Sequence, residues 1–230
     1  MQLRYTIRLK VIVMIWMGTL WVGNVAGQSN KMPIKLWASE AEKPLVFYLT
    51  GDGGFNNFSL RLCAGLNKAG YSVCALNTRS YFWNKKTESQ AAEDISQLLA
   101  RQLRPGQTWG CIGYSFGADV LPFVVDRLSP TIRQTLLQAV LIAPSATTDF
   151  EIHLTDLLGS NNKYSKDVVA AMNKMGALSI ATVLSGNEKD FPVQQIRLKN
   201  YNNYVMKGNH HFDGNIDEVT ALLVKLLKSK

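Results

Sequence analysis

The chain has 230 residues, 47% hydrophobic and 18% charged, the balance of a globular protein with one sizeable core, and one domain is expected. Its formal net charge of +8 comes from spread lysines and arginines, so nothing points to nucleic acid, although peripheral contact with an anionic membrane stays open. Cys63, Cys74 and Cys111 are odd in number and sit in apolar segments, which argues for buried free thiols over a disulfide framework.

Arg4, Arg8 and Lys10 precede an apolar run from Val11 to Val22, followed by Val25-Ala26-Gly27 and polar Gln28-Ser29-Asn30. This is the layout of a secretory signal peptide, residues 1–27, leaving 28–230 as one exported domain. A core of ~12 apolar residues is short of the ~20 that span a bilayer, and the rival expectation is an uncleaved N-terminal membrane anchor. No cysteine follows the run, which speaks against lipid attachment. The segment holds three basic groups and no acidic one, so its removal lowers the charge from +8 to +5.

Pro44–Thr50 is a buried strand that ends in the loop Gly51-Asp52-Gly53-Gly54. Phe58, Leu62 and Leu66 predict a helix over Asn57–Ala69, with Asn57 or Ser59 as N-cap and Gly70 as its stop. Tyr71–Leu76 is a second strand and Thr87–Leu103 a second amphipathic helix. Trp109–Ile112 is a third strand, and the helix after it contains Pro122, where a kink is expected. Ala139–Ala143, Ile180–Leu184 and Asn203–Met206 complete six strands, and Ile216–Leu227 gives a last helix whose basic end, with Lys225, Lys228 and Lys230, suits the helix dipole. Residues 145–178 read as an insertion that would serve as a lid, with an extra strand over Phe150–Leu158 and a loop at Gly159-Ser160-Asn161-Asn162. Continuously apolar strands separated by helices predict an α/β protein with a mainly parallel sheet covered by helices on both faces.

The chemistry is concentrated at Gly113-Tyr114-Ser115-Phe116-Gly117, the Gly-x-Ser-x-Gly spacing of a nucleophile elbow at the junction of a strand and a helix. A serine nucleophile needs a base, a group that orients the base, and donors for an oxyanion. The order serine, acid, histidine along the chain is that of an α/β-hydrolase fold. His211 is the favoured base, with Gly208 three residues before it and Phe212 after it, and His210 is the alternative. Asp190 is the first choice of acid in Ser185-Gly186-Asn187-Glu188-Lys189-Asp190, and Glu188 the second. His153 is expected to be structural, and Asp119 to complement the dipole of its helix.

The oxyanion donors are expected at the N–H of Phe116 and at that of Asp52 or Gly53. Gly51–Gly54 lacks the lysine and spacing of a phosphate-binding P-loop, and Asp52 is read as facing a cationic part of the substrate. Tyr81-Phe82-Trp83 would line an acyl groove or form a buried aromatic patch. No His/Cys cluster has metal-ligand spacing and no dinucleotide fingerprint follows a strand, so neither metal nor cofactor is expected.

Gly51-Asp52-Gly53-Gly54, Tyr81-Phe82-Trp83, the run Gly113 to Pro122 and His210-His211-Phe212-Asp213-Gly214 together make residues 32–228 resemble the VirJ/AcvB family of bacterial virulence-associated proteins, a branch of the α/β hydrolases. The resemblance implies export to the periplasm and hydrolysis of lysyl-phosphatidylglycerol, with Ser115 attacking the aminoacyl ester, His211 moving the proton and the lipid leaving before water clears the acyl-enzyme. Two other readings stand beside it. One is a non-catalytic periplasmic protein that supports type IV secretion or virulence, and the other is a general lipase or thioesterase.

Overall fold

The computed structural model describes residues 32–152 and 164–228; the segment 1–27, His153 and the loop 159–162 lie outside the described residues. In chain order the described elements are β1 (Ile34–Trp37), β2 (Leu45–Leu49), α1 (Asn57–Lys68), β3 (Val73–Leu76), α2 (Thr78–Tyr81), α3 (Glu88–Gln102), β4 (Trp109–Tyr114) and α4 (Phe116–Asp126). They continue with α5 (Pro130–Arg133), β5 (Leu136–Ile142), β6 (Thr147–Thr148), β7 (Lys166–Asp167), α6 (Val168–Asn173), β8 (Ser179–Ser185), β9 (Tyr201–Met206) and α7 (Ile216–Leu227). Among the described residues seven strands form one sheet in the order β1-β3-β2-β4-β5-β8-β9.

Six of these strands are the ones the apolar runs predict, and they are mutually parallel. Their side chains alternate between two buried layers. Leu45, Phe47 and Leu49 of β2 pack with Ile95 and Leu99 of α3 and Val120 and Leu121 of α4. Val46 and Tyr48 point the other way, to Phe58 and Leu62 of α1 and Val219 and Leu223 of α7. Burial on both faces is why β2, β3, β4, β5 and β8 read as continuous apolar runs, while β9, at the opposite edge from β1, is half-exposed. The seventh, β1, pairs antiparallel with β3 at the edge, and Lys35 and Leu36 are exposed there, so it carries no such signal.

Local caps explain the helix boundaries. Asn56, one residue before the first of the two expected candidates, caps α1 by accepting from the N–H of Ser59, and Gly70 ends the helix at φ 90°. Thr87 and Gln90 form a capping box at the start of α3. Helix α4 runs unbroken from Phe116 to Asp126 through Pro122. The proline removes only the donor that would have reached the Ala118 carbonyl four residues back, and the expected kink does not end the helix.

The described parts of the insertion are packed onto the body. β6 and β7 pair antiparallel, α6 lies against α4, and Phe150 is buried edge-on to Phe82 and Phe123 with ring centroids 5.7 Å apart in each pair. Phe150–Ile152 is not a strand; it is held by hydrogen bonds from the Lys86 N–H to the Phe150 carbonyl and from the Ile152 N–H to the Phe82 carbonyl. Glu88 joins Lys166 of β7, at 2.5 Å, to Arg127 after α4. Cys63, Cys74 and Cys111 are buried and unbridged, and burial pushes the Cys63 and Cys74 thiols up to about 12.

Asp119 has more to do than face the dipole. It is 5% exposed in the first turn of α4, and its Oδ1 accepts the Ser145 N–H at 2.6 Å, fastening the start of the insertion to the helix. Burial raises its carboxyl to about 7, against the pull of the Ser145 hydrogen bonds.

Parallel strands gather their C-terminal ends along one edge of the sheet, where the loops after β2, β4, β8 and β9 meet. Helix α4 reaches that edge only because two glycines let it approach. A Cβ on Gly117 would lie 2.3 Å from the Thr50 carbonyl oxygen, and one on Gly113 would lie 2.4 Å from the Gly117 carbonyl oxygen. Gly117→Ala is therefore expected to cost about 3 kcal/mol, read as a lower urea midpoint, and an unaltered midpoint would contradict the contact. The second expectation concerns pH. An unfolded Asp119 carboxyl titrates near ~3.9 and the folded one at about 7, so within that window the folded chain keeps a proton that the unfolded chain has released. The stability of the wild type relative to Asp119→Asn should therefore be greatest below pH ~4 and decline as pH rises through about 7. A wild-type-minus-variant difference that stays constant from pH 4 to 8 would sink this reading.

Candidate active site

Ser115 stands between β4 and α4 at φ 50° and ψ −123°, a left-handed conformation that costs a non-glycine residue about 1–3 kcal/mol. The surroundings hold it there. Its N–H donates to the Ile142 carbonyl at 2.9 Å, and its carbonyl accepts from Ala118 at 2.7 Å and Asp119 at 3.0 Å. The hydroxyl is thereby carried clear of the strand end, with Oγ 3.0 Å from His210 Nε2.

His210, and not His211, meets the serine. Its other ring nitrogen, Nδ1, lies 2.5 Å from Glu188 Oε1, so Nδ1 carries the proton toward the carboxylate and Nε2 is left to accept from the serine hydroxyl. The loop explains the correction. Phe212 is the buried anchor, stacked on Phe58 with centroids 6.2 Å apart, and Gly208 turns the chain at φ 109° against the Phe212 backbone. Between those points the Tyr114 hydroxyl donates to the His210 carbonyl at 3.2 Å, and the Tyr114 ring lies under the His210 ring at 5.5 Å. His211 faces the opposite wall, edge-on to Phe58 and Tyr114, and its N–H donates to Asn209 Oδ1.

The acid also differs from the first expectation. A tight turn after β8, closed by the Glu188 N–H on the Ser185 carbonyl, folds Glu188 back over the strand end. Its Oε2 accepts the Ser185 N–H at 2.8 Å while Oε1 takes His210. Asp190 lies two residues farther on, is exposed, and has no hydrogen bond or ion pair among the described residues. The longer glutamate side chain, pinned at one oxygen, is the one that spans the gap.

Glu188 dominates the electrostatics of the imidazole. The hydrogen bond to it, reinforced by the negative charges of Glu188, Asp52 and Asp119, raises His210 above the ordinary histidine value against the effect of burial. His211 moves the other way, lowered by burial and by the neighbouring His210.

The loop after β2 completes the site. Gly51 runs over the serine so closely that a Cβ there would lie 3.3 Å from Ser115 Cβ. The loop is fixed from below by Thr78, whose N–H donates to Thr50 Oγ1 at 3.0 Å and whose hydroxyl lies 2.8 Å from the carbonyl oxygens of Thr50 and Gly51. No acceptor among the described residues takes up the N–H groups of Phe116, Asp52 or Gly53. Asp52 is half-buried, and its carboxylate has no hydrogen bond or ion pair among the described residues. Tyr81 and Phe82 form the buried aromatic patch, with Phe82 edge-on to Phe116 at 5.4 Å, while Trp83 is exposed. Among the described residues no cluster of His, Cys, Asp or Glu could hold a metal ion, and no helix is long and apolar enough to cross a membrane.

The same arrangement of strands and helices occurs in solved enzymes of low sequence identity. Est1E from Butyrivibrio proteoclasticus is 14% identical with a TM-score of 0.57, over 84% of this chain and 90% of that one. The surfactin-cyclising thioesterase domain SrfTE is 14% identical with a TM-score of 0.59, over 89% of this chain and 99% of its own. The NocB thioesterase domain, solved as a covalent complex with a fluorophosphonate nocardicin G analog, is 12% identical with a TM-score of 0.59, over 85% of this chain and 100% of that domain. These likenesses show an α/β-hydrolase fold. No curated protein matches the sequence. The sequence pattern of the bacterial virulence protein VirJ matches residues 43–230, and the chain belongs to the VirJ family.

Proposed function

We propose that the protein is a serine hydrolase of carboxylic esters that works through an acyl-enzyme on Ser115, with His210 as base and Glu188 as its orienting acid. The observation that carries this is the continuous relay Ser115 Oγ, His210 Nε2, His210 Nδ1, Glu188 Oε1, with steps of 3.0 Å and 2.5 Å. Ser115 Oγ attacks the ester carbonyl while its proton passes to His210, and Glu188 stabilises the resulting imidazolium without taking the proton. The oxyanion is placed against the N–H groups of Phe116 and Asp52, with Gly53 beside them. His210 then gives its proton to the alcohol oxygen and the alcohol leaves. A water enters, loses a proton to His210 and attacks the acyl carbon, releasing the acid and restoring the serine.

For substrate we infer an aminoacyl ester of a phospholipid, with lysyl-phosphatidylglycerol as the specific compound and the exported side of the membrane as the place. Support comes from Asp52, a half-buried carboxylate without a partner among the described residues, which acts electrostatically on His210, Tyr114 and His211 and would face the ammonium of the aminoacyl group. The basic and then apolar leader and the VirJ membership support export.

Incubation of the purified protein with membrane lipid containing lysyl-phosphatidylglycerol should release free lysine, and Ser115→Ala or His210→Gln should abolish the release. Fatty acid in place of lysine would move the reading to a general lipase, and no ester turnover at all would favour a binding protein. The acid assignment has its own test. Because the base must be neutral and Glu188 raises His210, kcat/KM is expected to lose activity on the acid side at a pH above the ordinary ~6.5. Glu188→Gln removes that influence, so its acid limb should move to lower pH while kcat falls by roughly 10² or more. Asp190→Asn should stay within about twofold. A large loss in Asp190→Asn with Glu188→Gln close to the wild type would return the role to Asp190.

A further inference from the structure

Beside the imidazole that serves the reaction lies a groove of about 300 Å³ that the chemistry described so far does not use. Its floor is Phe58 and Ile216, and its walls are Asn56, Asn57, Arg61 and His211; no acidic side chain lines it. Arg61 stands on the first turns of α1 and makes no ion pair or hydrogen bond among the described residues. The Asn57 side chain is likewise uncommitted, whereas Asn56 Oδ1 is used in capping α1. The groove thus presents amide, guanidinium and imidazole N–H groups over an apolar floor, whereas the charges that act on His210 are those of Glu188, Asp52 and Asp119.

Its position decides which part of a substrate reaches it. The His210 and His211 rings are 5.5 Å apart, and His210 Nε2 is the atom that must protonate the departing alcohol oxygen. To reach the groove the alcohol must leave past His210 on the His211 side, while the acyl half stays bonded to Ser115 near the loop that carries Asp52. In that orientation the two halves of the ester meet opposite charge environments.

We propose that this groove binds a phosphate carried by the alcohol half of the ester, with Arg61 as its principal cation and His211 and Asn57 as further donors. This rests on the hydrolase reading given above and extends it to a second determinant of specificity. Arg61 supplies a planar fork of donors that matches a phosphate oxygen pair, and charge-assisted hydrogen bonds of this kind are about twice as strong as neutral ones. His211, held low by burial and by His210 when the groove is empty, gains a proton and a partner when the anion enters.

Two measurements test it, one of them independent of turnover. The chain has three histidines, so ring proton signals are few, and His211 is assigned by the signal lost in His211→Gln. Glycerol phosphate should shift the His211 signal and raise its titration midpoint, glycerol alone should not, and Arg61→Ala should weaken the binding about tenfold or more. No shift at His211, or equal binding by Arg61→Ala, overturns the site whatever the enzyme does. The second measurement compares two esters with the same aminoacyl group, one of glycerol and one of glycerol phosphate. Arg61→Ala should lower the ratio of kcat/KM for the phosphate ester over the neutral ester by about tenfold, and an unaltered ratio would contradict the proposal. Failure of the wild type to cleave either ester would count against the hydrolase reading alone, leaving the glycerol phosphate titration to decide the groove.

Discussion

The approach of α4 to the ends of β2 and β4 is the constraint on which the site depends. Gly113 and Gly117 remove the two Cβ atoms that would collide with main-chain oxygens and carbons at 2.3–2.6 Å, and only then can Ser115 occupy its left-handed turn at the sheet edge. The serine's strain is carried by rigid partners on three sides: the Ile142 carbonyl, the first N–H groups of α4 and the Gly51 loop. Loosening any one of them moves the nucleophile away from an imidazole that comes from a different strand end, and a hydrogen bond of 3.0 Å tolerates little displacement.

Charge is arranged around that geometry in two ways. Glu188, Asp52 and Asp119 all favour a protonated His210, yet only Glu188 touches it. Asp119 is spent on Ser145 and Asp52 is free to face solvent or substrate. On the far side of the imidazole no carboxylate lines the groove, and Arg61 and His211 supply its polarity. A substrate with an ammonium on its acyl half and a phosphate on its alcohol half is complementary to that division.

Much of this was legible in the sequence, and the exceptions share physical causes. The five inner parallel strands and the helices that cover them announce themselves through burial on two faces, and the elbow through glycine spacing that close packing demands. β1 is half-exposed at an edge, and β6 and β7 are two residues each, too short for any period to show. At the site the sequence located the loops and preferred His211 and Asp190, whereas it is their stated alternatives, His210 and Glu188, that the structure links to Ser115. His210 and His211 are adjacent, and Glu188 and Asp190 are two apart, so what separates them is the direction of a side chain. That direction is set by contacts distant in sequence: Tyr114 beneath His210, Phe58 beneath Phe212, and Ser185 holding one oxygen of Glu188. The alternatives each have the same composition and nearly the same neighbours, which is why spacing could not choose. Arg61 carried no motif at all, and only the meeting of α1 with the loop before α7 brings it beside His211.

The central claim is that Ser115 is a nucleophile activated by His210. Intact-mass analysis of the purified protein after exposure to a fluorophosphonate, followed by peptide mapping, reads that claim without any assumption about substrate. The account predicts one adduct per chain, located on Ser115 and formed much more slowly in His210→Gln. Absence of an adduct from folded wild-type protein, or an adduct on Ser115 formed as fast without His210 as with it, would contradict it.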